Sequence, residues 1–232
     1  MQSAMQTIHQ TRYVPTEAKL HNAPPDTLDL LEQFGVTVAI RRGHEVYGQE
    51  QTTEFCWRIV SGCVRTVKLL EDGRRLIGAF LWPGDLFGID DLSVHDLGTE
   101  AVTDVTLRRY PRRTVEALAQ SHTALALRLR ALTAANLQHA YRQMMLLGRK
   151  TIMEKVASFL LDMDRHSTAT DRWIVDAPMS RADIADYLGT TIETVSRSIA
   201  RLRHDGTLAI LPSGFELRDR VTLIELAHES LD

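Results

Sequence analysis

Apolar and polar positions change rhythm along this chain. Residues 1 to about 26 carry no apolar period and end in Ala23-Pro24-Pro25, which reads as a mobile N-terminal arm. Thr27 to Phe34 (TLDLLEQF) has a helical pattern and is stopped by Gly35. From Val36 to about Leu107 the apolar runs shorten to strand length, as in Phe55 to Val60 and Val64 to Leu69. Turn residues separate them at Arg42-Gly43, Ser61-Gly62, Asp72-Gly73, Pro83-Gly84 and Leu97-Gly98. Short strands so spaced predict a small antiparallel barrel or sandwich.

The second half is helical. Tyr110-Pro111-Arg112-Arg113 opens a helix, with proline near the first turn where its missing N–H does no harm. From about Ser121 to Arg149 there is no strong breaker. Ala134, Leu137, Tyr141, Met144 and Gly148 follow one stripe at spacings of three and four, and Leu125, Leu129 and Leu132 mark a second. A long helix that is apolar on more than one side buries one face on its own domain and the other on a partner. We read 121–149 as a dimerisation helix with the first stripe as its interface; the plainer alternative is a helix enclosed in one core. Thr151 to Met163 is amphipathic, His166 to Arg172 polar, and Trp173-Ile174-Val175 a short strand. Thr207 to Leu211 and Phe215 to Leu217 flank Pro212-Ser213-Gly214 as a hairpin, and Asp219 to Leu231 closes the chain as a helix.

Between these lies Met179 to Leu202, MSRADIADYLGTTIETVSRSIARL, which reads as two short helices joined by a tight turn. Ser180 can cap the first helix, with Asp183 as the acid of a capping box. Ile184, Ala185 and Leu188 form its apolar stripe. Gly189 breaks the helix, Thr190 or Thr191 can cap again, and Ile192, Val195, Ile199 and Leu202 form the next stripe. Helix, glycine turn, helix is the helix-turn-helix arrangement, whose second helix lies in the DNA major groove. The other face of that helix carries Glu193, Ser196, Arg197 and Arg201. A guanidinium suits the O6/N7 pair of guanine, and a carboxylate can accept from cytosine N4. The plainer reading of Glu193 and Arg197 is an exposed ion pair four residues apart.

Composition narrows the class. Hydrophobic residues make up 44% and charged residues 25% of 232, as in ordinary globular proteins. No apolar run approaches the ~20 residues of a membrane span. The start lacks a basic region followed by an apolar one, so we expect no secretory signal, no membrane association and a cytoplasmic protein. A net charge of −3 excludes a wholly basic nucleic-acid coat, yet Arg197, Arg201 and Arg203 cluster on one helix.

The helix-turn-helix stretch resembles, position by position, that of the cyclic-AMP receptor / fumarate-nitrate regulator (CRP/FNR) superfamily. Its Ile192-Glu193-x-x-Ser196-Arg197 core is similar to the FNR and FixK branch; the cyclic-AMP receptor branch has arginine at the place of Ile192 and glycine at that of Ser196. The series RRGHEVY, CWRIVSGCVR and LLEDGRRLIGAFLWPGDLFG resembles the cyclic-nucleotide-binding β-roll of the same superfamily. The resemblance implies an α+β fold: an arm (1–26), a β-roll (27–120), a dimerisation helix (121–149) and a winged helix-turn-helix domain (150–232). It also implies a homodimer that binds inverted-repeat promoter DNA and works with RNA polymerase. For the FixK type it implies activation of genes for microaerobic respiration, nitrogen fixation or denitrification.

Family effectors can be checked against residues. The cyclic-nucleotide elements Gly-Glu-Leu and Arg-Ser/Thr-Ala read here Gly88-Ile89-Asp90 and Glu100-Ala101-Val102, so an acid opposes the phosphate. Cys56 and Cys63 cannot supply the four ligands of an iron–sulfur cluster. Gly88 and Asp90 are no haem ligands, and His44 and His95 stand alone. We therefore expect no cofactor and no metal site. The two cysteines read as small buried apolar residues, with Arg58 and Arg65 near enough in sequence to leave redox chemistry open. No nucleophile–base pair suggests an enzyme.

The sequence reading is thus a homodimeric regulator with TTGA-type half-sites. Ile192, Glu193, Ser196 and Arg197 contact bases; Ser180, Arg181, Thr191 and Arg201 contact phosphates. The alternative is a sensor whose β-roll binds an unidentified small molecule.

Overall fold

The computed structural model describes residues 26–89, 93–167 and 173–228. Residues 1–25 of the arm expected over 1–26, Asp90, residues 168–172 of the expected polar loop and 229–231 of the expected last helix lie outside them, while Asp26 already belongs to the first helix. Helix α1 (Asp26–Glu32) leads into β1 (Val36–Ile40), β2 (Glu45–Tyr47), β3 (Phe55–Ser61), β4 (Val64–Leu69), β5 (Arg75–Leu81), β6 (Leu86–Phe87), β7 (Gly98–Ala101) and β8 (Val105–Pro111). They form two four-stranded antiparallel sheets, ordered β1-β8-β3-β6 and β2-β7-β4-β5. Alternation decides which residue faces which layer. Trp57, Ile59, Val64, Val105 and Leu107 point between the sheets with Tyr47 and Phe87. Cys56 and Tyr110 point outward, onto helices.

Four of the five expected turns are turns, with glycine in the left-handed region at 43, 62, 73 and 84. The fifth is not: Gly98 opens β7 opposite Val67. A Cβ there would come 3.2 Å from the Gln49 amide nitrogen, so any larger residue would press on the backbone beside it.

Helices α2 (Arg112–Ser121) and α3 (Thr123–Arg149) follow. The helix expected to open at Tyr110 starts at Arg112, because Tyr110 and Pro111 complete β8. The long helix begins two residues later than expected, since His122 is extended (φ −126, ψ 96) and separates it from α2. Leu31, Val115 and Leu125 seat α1, α2 and α3 on the outer face of the first sheet. Glu32 pins α1 there, accepting from Arg58 (3.2 Å), Arg108 (3.0 Å) and the Tyr110 hydroxyl (2.8 Å).

Helix α4 (Ile152–His166), β9 (Ile174–Asp176), α5 (Arg181–Leu188), α6 (Ile192–His204), β10 (Leu208–Leu211), β11 (Gly214–Leu217) and α7 (Arg220–Ala227) complete the chain. Much of the second sheet's outer face packs on the helical domain instead of meeting solvent. Val67, Ile77 and Phe80 join one apolar cluster with Val156, Phe159, Leu160, Ile184, Tyr187 and Leu188. The architecture is α+β: a β-roll, a long helix and a helix-turn-helix domain. Cys63 lies in that shared cluster, and burial pushes its thiol far above the usual range. A thiol so disposed stays protonated and is a poor nucleophile. No helix among the described residues is long and apolar enough to cross a membrane.

Candidate nucleic-acid interface

Local chemistry builds the helix-turn-helix. The Ser180 hydroxyl accepts from the Asp183 amide (3.1 Å), and Asp183 accepts from the Ser180 amide (3.0 Å), a complete capping box. Gly189 ends α5 in the left-handed conformation (φ 60, ψ 46), and Thr190 donates its amide to the Ala185 carbonyl at 3.0 Å. Of the two expected caps, Thr191 is the one used: it accepts from the Thr194 amide at 3.3 Å. Val195, Ile199 and Leu202 are buried, which fixes the rotation of α6 about its axis.

That rotation turns Ile192, Glu193, Ser196, Arg197 and Arg201 to solvent together. Glu193 accepts from its own backbone N–H and from the Thr191 hydroxyl, and these bonds hold its carboxyl below the usual range; the Arg197 charge adds the smallest push. Among the described residues, no ion-pair contact within 4.0 Å joins Glu193 to Arg197, yet the Arg197 charge still acts on the carboxylate, so the two exposed groups remain an i,i+4 charge pair without a close bond. Ile192, expected in the apolar stripe with Val195, Ile199 and Leu202, is 47% exposed instead, because the first turn of α6 projects past the packed core onto the reading face.

The expected phosphate contacts differ among themselves. Thr191 is exposed beside the reading face. Arg201 is exposed and only loosely paired with Asp205 at 3.8 Å. The Ser180 hydroxyl already donates to Asp183 at 2.9 Å, which leaves no proton on that oxygen for a phosphate. Arg181 lies over the Phe215 ring at 4.8 Å, and burial lowers its pKa. It braces α5 on the hairpin of β10 and β11, whose register puts Leu211 opposite Gly214 with Pro212-Ser213 as the turn.

On α3, all of Ala134, Leu137, Tyr141, Met144 and Gly148 are exposed in the single chain, with Leu137, Tyr141 and Met144 at 54%, 57% and 60%. The second stripe is satisfied internally: Leu125 is fully buried, with Leu129 and Leu132 packed on the same cluster. The lower end of α3 touches the helix-turn-helix through buried Gln143 and Leu146.

Several residues at this junction escaped the sequence reading. Arg65 and Arg75, on the outer face of the second sheet, reach Asp183 and Asp186 of α5. Glu100, singled out as an acid where an arginine would be expected, accepts from Arg65 at 2.6 Å. The basic residues set among apolar ones in VRTVKL and RLIGAFL are the available signal, but they name no partner. Among the described residues, no group of three or more metal-ligating side chains is gathered.

Comparison with known proteins gives a consistent picture. Residues 154–226 match the model of a Crp-like helix-turn-helix domain, and residues 37–122 that of a cyclic nucleotide-binding domain. The chain is 45% identical to the nitrogen fixation regulation protein FixK of Azorhizobium caulinodans, over 83% of this chain and 79% of that one. Identity to FixK of Rhizobium meliloti is 35%, over 94% and 97%. The solved structure of FixK2 from Bradyrhizobium japonicum superposes with a TM-score of 0.80 at 42% identity, covering 84% of this chain and 98% of that one.

Proposed function

Because this chain belongs to the FixK group of the CRP/FNR superfamily and is a DNA-binding transcription regulator, we propose that it acts as a homodimeric activator on inverted repeats of TTGA-type half-sites. The observation that carries this reading is the joint exposure of Ile192, Glu193, Ser196 and Arg197 on one face of α6. Arg197 reads guanine, Glu193 reads cytosine N4, and Ile192 packs on a thymine methyl. Ser196 lies near a neighbouring thymine or adenine. Thr191 and Arg201 reach phosphates and set register. Ser180 supports them as a cap; Arg181, braced on Phe215, reaches a phosphate only from that stacked position.

The dimer forms through Ala134, Leu137, Tyr141, Met144 and Gly148. Their apolar surface has no cover within the chain, and a two-fold axis along paired α3 helices presents two recognition helices to one DNA face. DNA binding needs no cyclic nucleotide. Tyr47, Trp57 and Phe87 fill the space between the roll's sheets, and Glu100 is engaged with Arg65. The bound dimer acts with RNA polymerase in the cytoplasm, on genes of nitrogen fixation or low-oxygen respiration.

Selection of the purified protein on random duplexes tests the reading. Enrichment of a TTGA-type inverted repeat with centres about one helical turn apart is expected. Enrichment of single half-sites or direct repeats would overturn it.

A further inference from the structure

The rest of the molecule holds helix α5 at both of its ends. At its start, Asp183 is only 6% exposed in its side chain, and its Oδ1 accepts from Arg65 Nη1 (2.9 Å) and Arg75 Nη2 (2.7 Å). Its Oδ2 is taken by the backbone and hydroxyl of Ser180. One turn on, Asp186 accepts from Arg75 Nε and Nη2, both at 2.7 Å. Arg75 therefore bridges two carboxylates three residues apart with one planar fork, a geometry lysine cannot reproduce. Glu100 orients Arg65 through a two-pronged contact at 2.9 and 2.6 Å.

At the other end of α5, the carbonyls that have no intrahelical partner are held from elsewhere. Gln143 of α3 donates to the Tyr187 carbonyl (2.7 Å), and Lys155 of α4 donates to that of Leu188 (3.2 Å). The turn after it is equally confined, since a Cβ on Gly189 would stand 3.1 Å from Leu147 of α3. The β-roll grips one end of α5, and the long helix the other. Meanwhile the reading face of α6 stays exposed, so this docking does not cover it.

We propose that Arg65 and Arg75 are positioning residues for DNA recognition: by gripping Asp183 and Asp186 they fix the angle of the helix-turn-helix against the roll and the long helix, and so set the half-site spacing the dimer accepts. The inference rests on the dimer reading given above. Recognition helices held rigidly on a two-fold axis meet half-sites at one separation. One added base pair moves a half-site by about a tenth of a turn, which a rigid pair cannot follow. A loosened pair can.

The test uses full-length protein and duplexes carrying the selected inverted repeat, with the spacer as selected, one base pair longer or one shorter. Wild-type protein should lose at least about ten-fold in affinity on either altered spacer. In Arg65→Gln/Arg75→Gln that penalty should shrink to about three-fold or less, with weaker binding to the selected site. The discrimination at the base pair read by Arg197 should stay as in the wild type. Arg75→Lys should keep part of the spacing penalty, and Asp186→Asn, a change at a partly exposed residue, should relax it as Arg75→Gln does. Variants that fold, by circular dichroism, and keep the full wild-type spacing penalty would overturn the inference alone. Wild-type protein indifferent to spacer length would also overturn this inference, whereas wild-type protein that sediments on the duplex as a monomer would overturn the dimer reading on which it rests.

Discussion

Gln143, near the lower end of the long helix, donates its side-chain amide to the backbone carbonyl of Tyr187 at 2.7 Å, across 44 positions of sequence. Both groups are buried. Tyr187 lies in the last turn of α5, where a carbonyl has no intrahelical donor, so this one bond satisfies an otherwise stranded acceptor and joins α3 to the helix-turn-helix.

Removing the donor should therefore cost more than a surface change. Gln143→Leu leaves the Tyr187 carbonyl buried without a partner, at about 1–3 kcal/mol. Denaturant titration should show that loss as a lower midpoint. A stability within about 0.5 kcal/mol of wild type, the usual range for surface substitutions, would mean the bond is not needed.

The contrast between α5–α6 and their anchorage shows what a single sequence reveals. Ser180, Asp183, Gly189 and Thr191 act on amides within four residues of themselves, and the buried stripe of α6 repeats every turn. Caps, turn and buried stripe are therefore legible locally, with Ile192 the exception that falls on the exposed face. Strand β4 was legible residue for residue, because apolar alternation and flanking glycines are local as well. The grip of Arg75 on Asp183 spans 108 positions and depends on β4 and β5 lying against α5, which no local pattern encodes. Asp183 was read only as a cap and Glu100 only as a misplaced acid, since half of each residue's role sits on a distant strand. The break at His122 was missed for a different reason: the residue is neither glycine nor proline, and its extended backbone follows from how α2 and α3 pack on the roll.

The exposed stripe of α3 gives the second prediction. Leu137→Glu with Met144→Glu places like charges across the proposed two-fold axis and removes apolar area there. Both positions are more than half exposed in the single chain, so the subunit should stay folded. Sedimentation should show monomers, and binding to the inverted repeat should be lost in the same variant. A dimer that survives both changes would place the interface elsewhere.

The third concerns effectors. The resemblance sets Glu100 at the place of a phosphate-binding arginine, but the strand turns it to the outer face of the second sheet, where it grips Arg65. A cyclic phosphate inside the roll would meet the packed rings of Tyr47, Trp57 and Phe87. Purified protein should bind its selected site equally well with and without added cyclic AMP or cyclic GMP, as followed by fluorescence anisotropy. A ten-fold or greater gain on addition of either would establish the sensor alternative instead.

The fourth separates base reading from phosphate anchoring on one helix. Arg197 and Arg201 lie one turn apart on the exposed face of α6, and neither is held in a close ion pair. If Arg197 reads guanine, Arg197→Ala should cost about 1–3 kcal/mol per half-site and relax preference at a single base pair. The other positions of the half-site should keep their order of preference. Arg201→Ala should behave differently in kind: affinity falls alike for every sequence, and the slope of log K against log salt drops by about one, the signature of one lost phosphate contact. Binding of both variants to a panel of single-base substitutions, at several salt concentrations, distinguishes the two roles. Should Arg197→Ala keep the full base preference and merely weaken binding uniformly, then Arg197 anchors the backbone, and the reading of guanine must pass to another residue of this face.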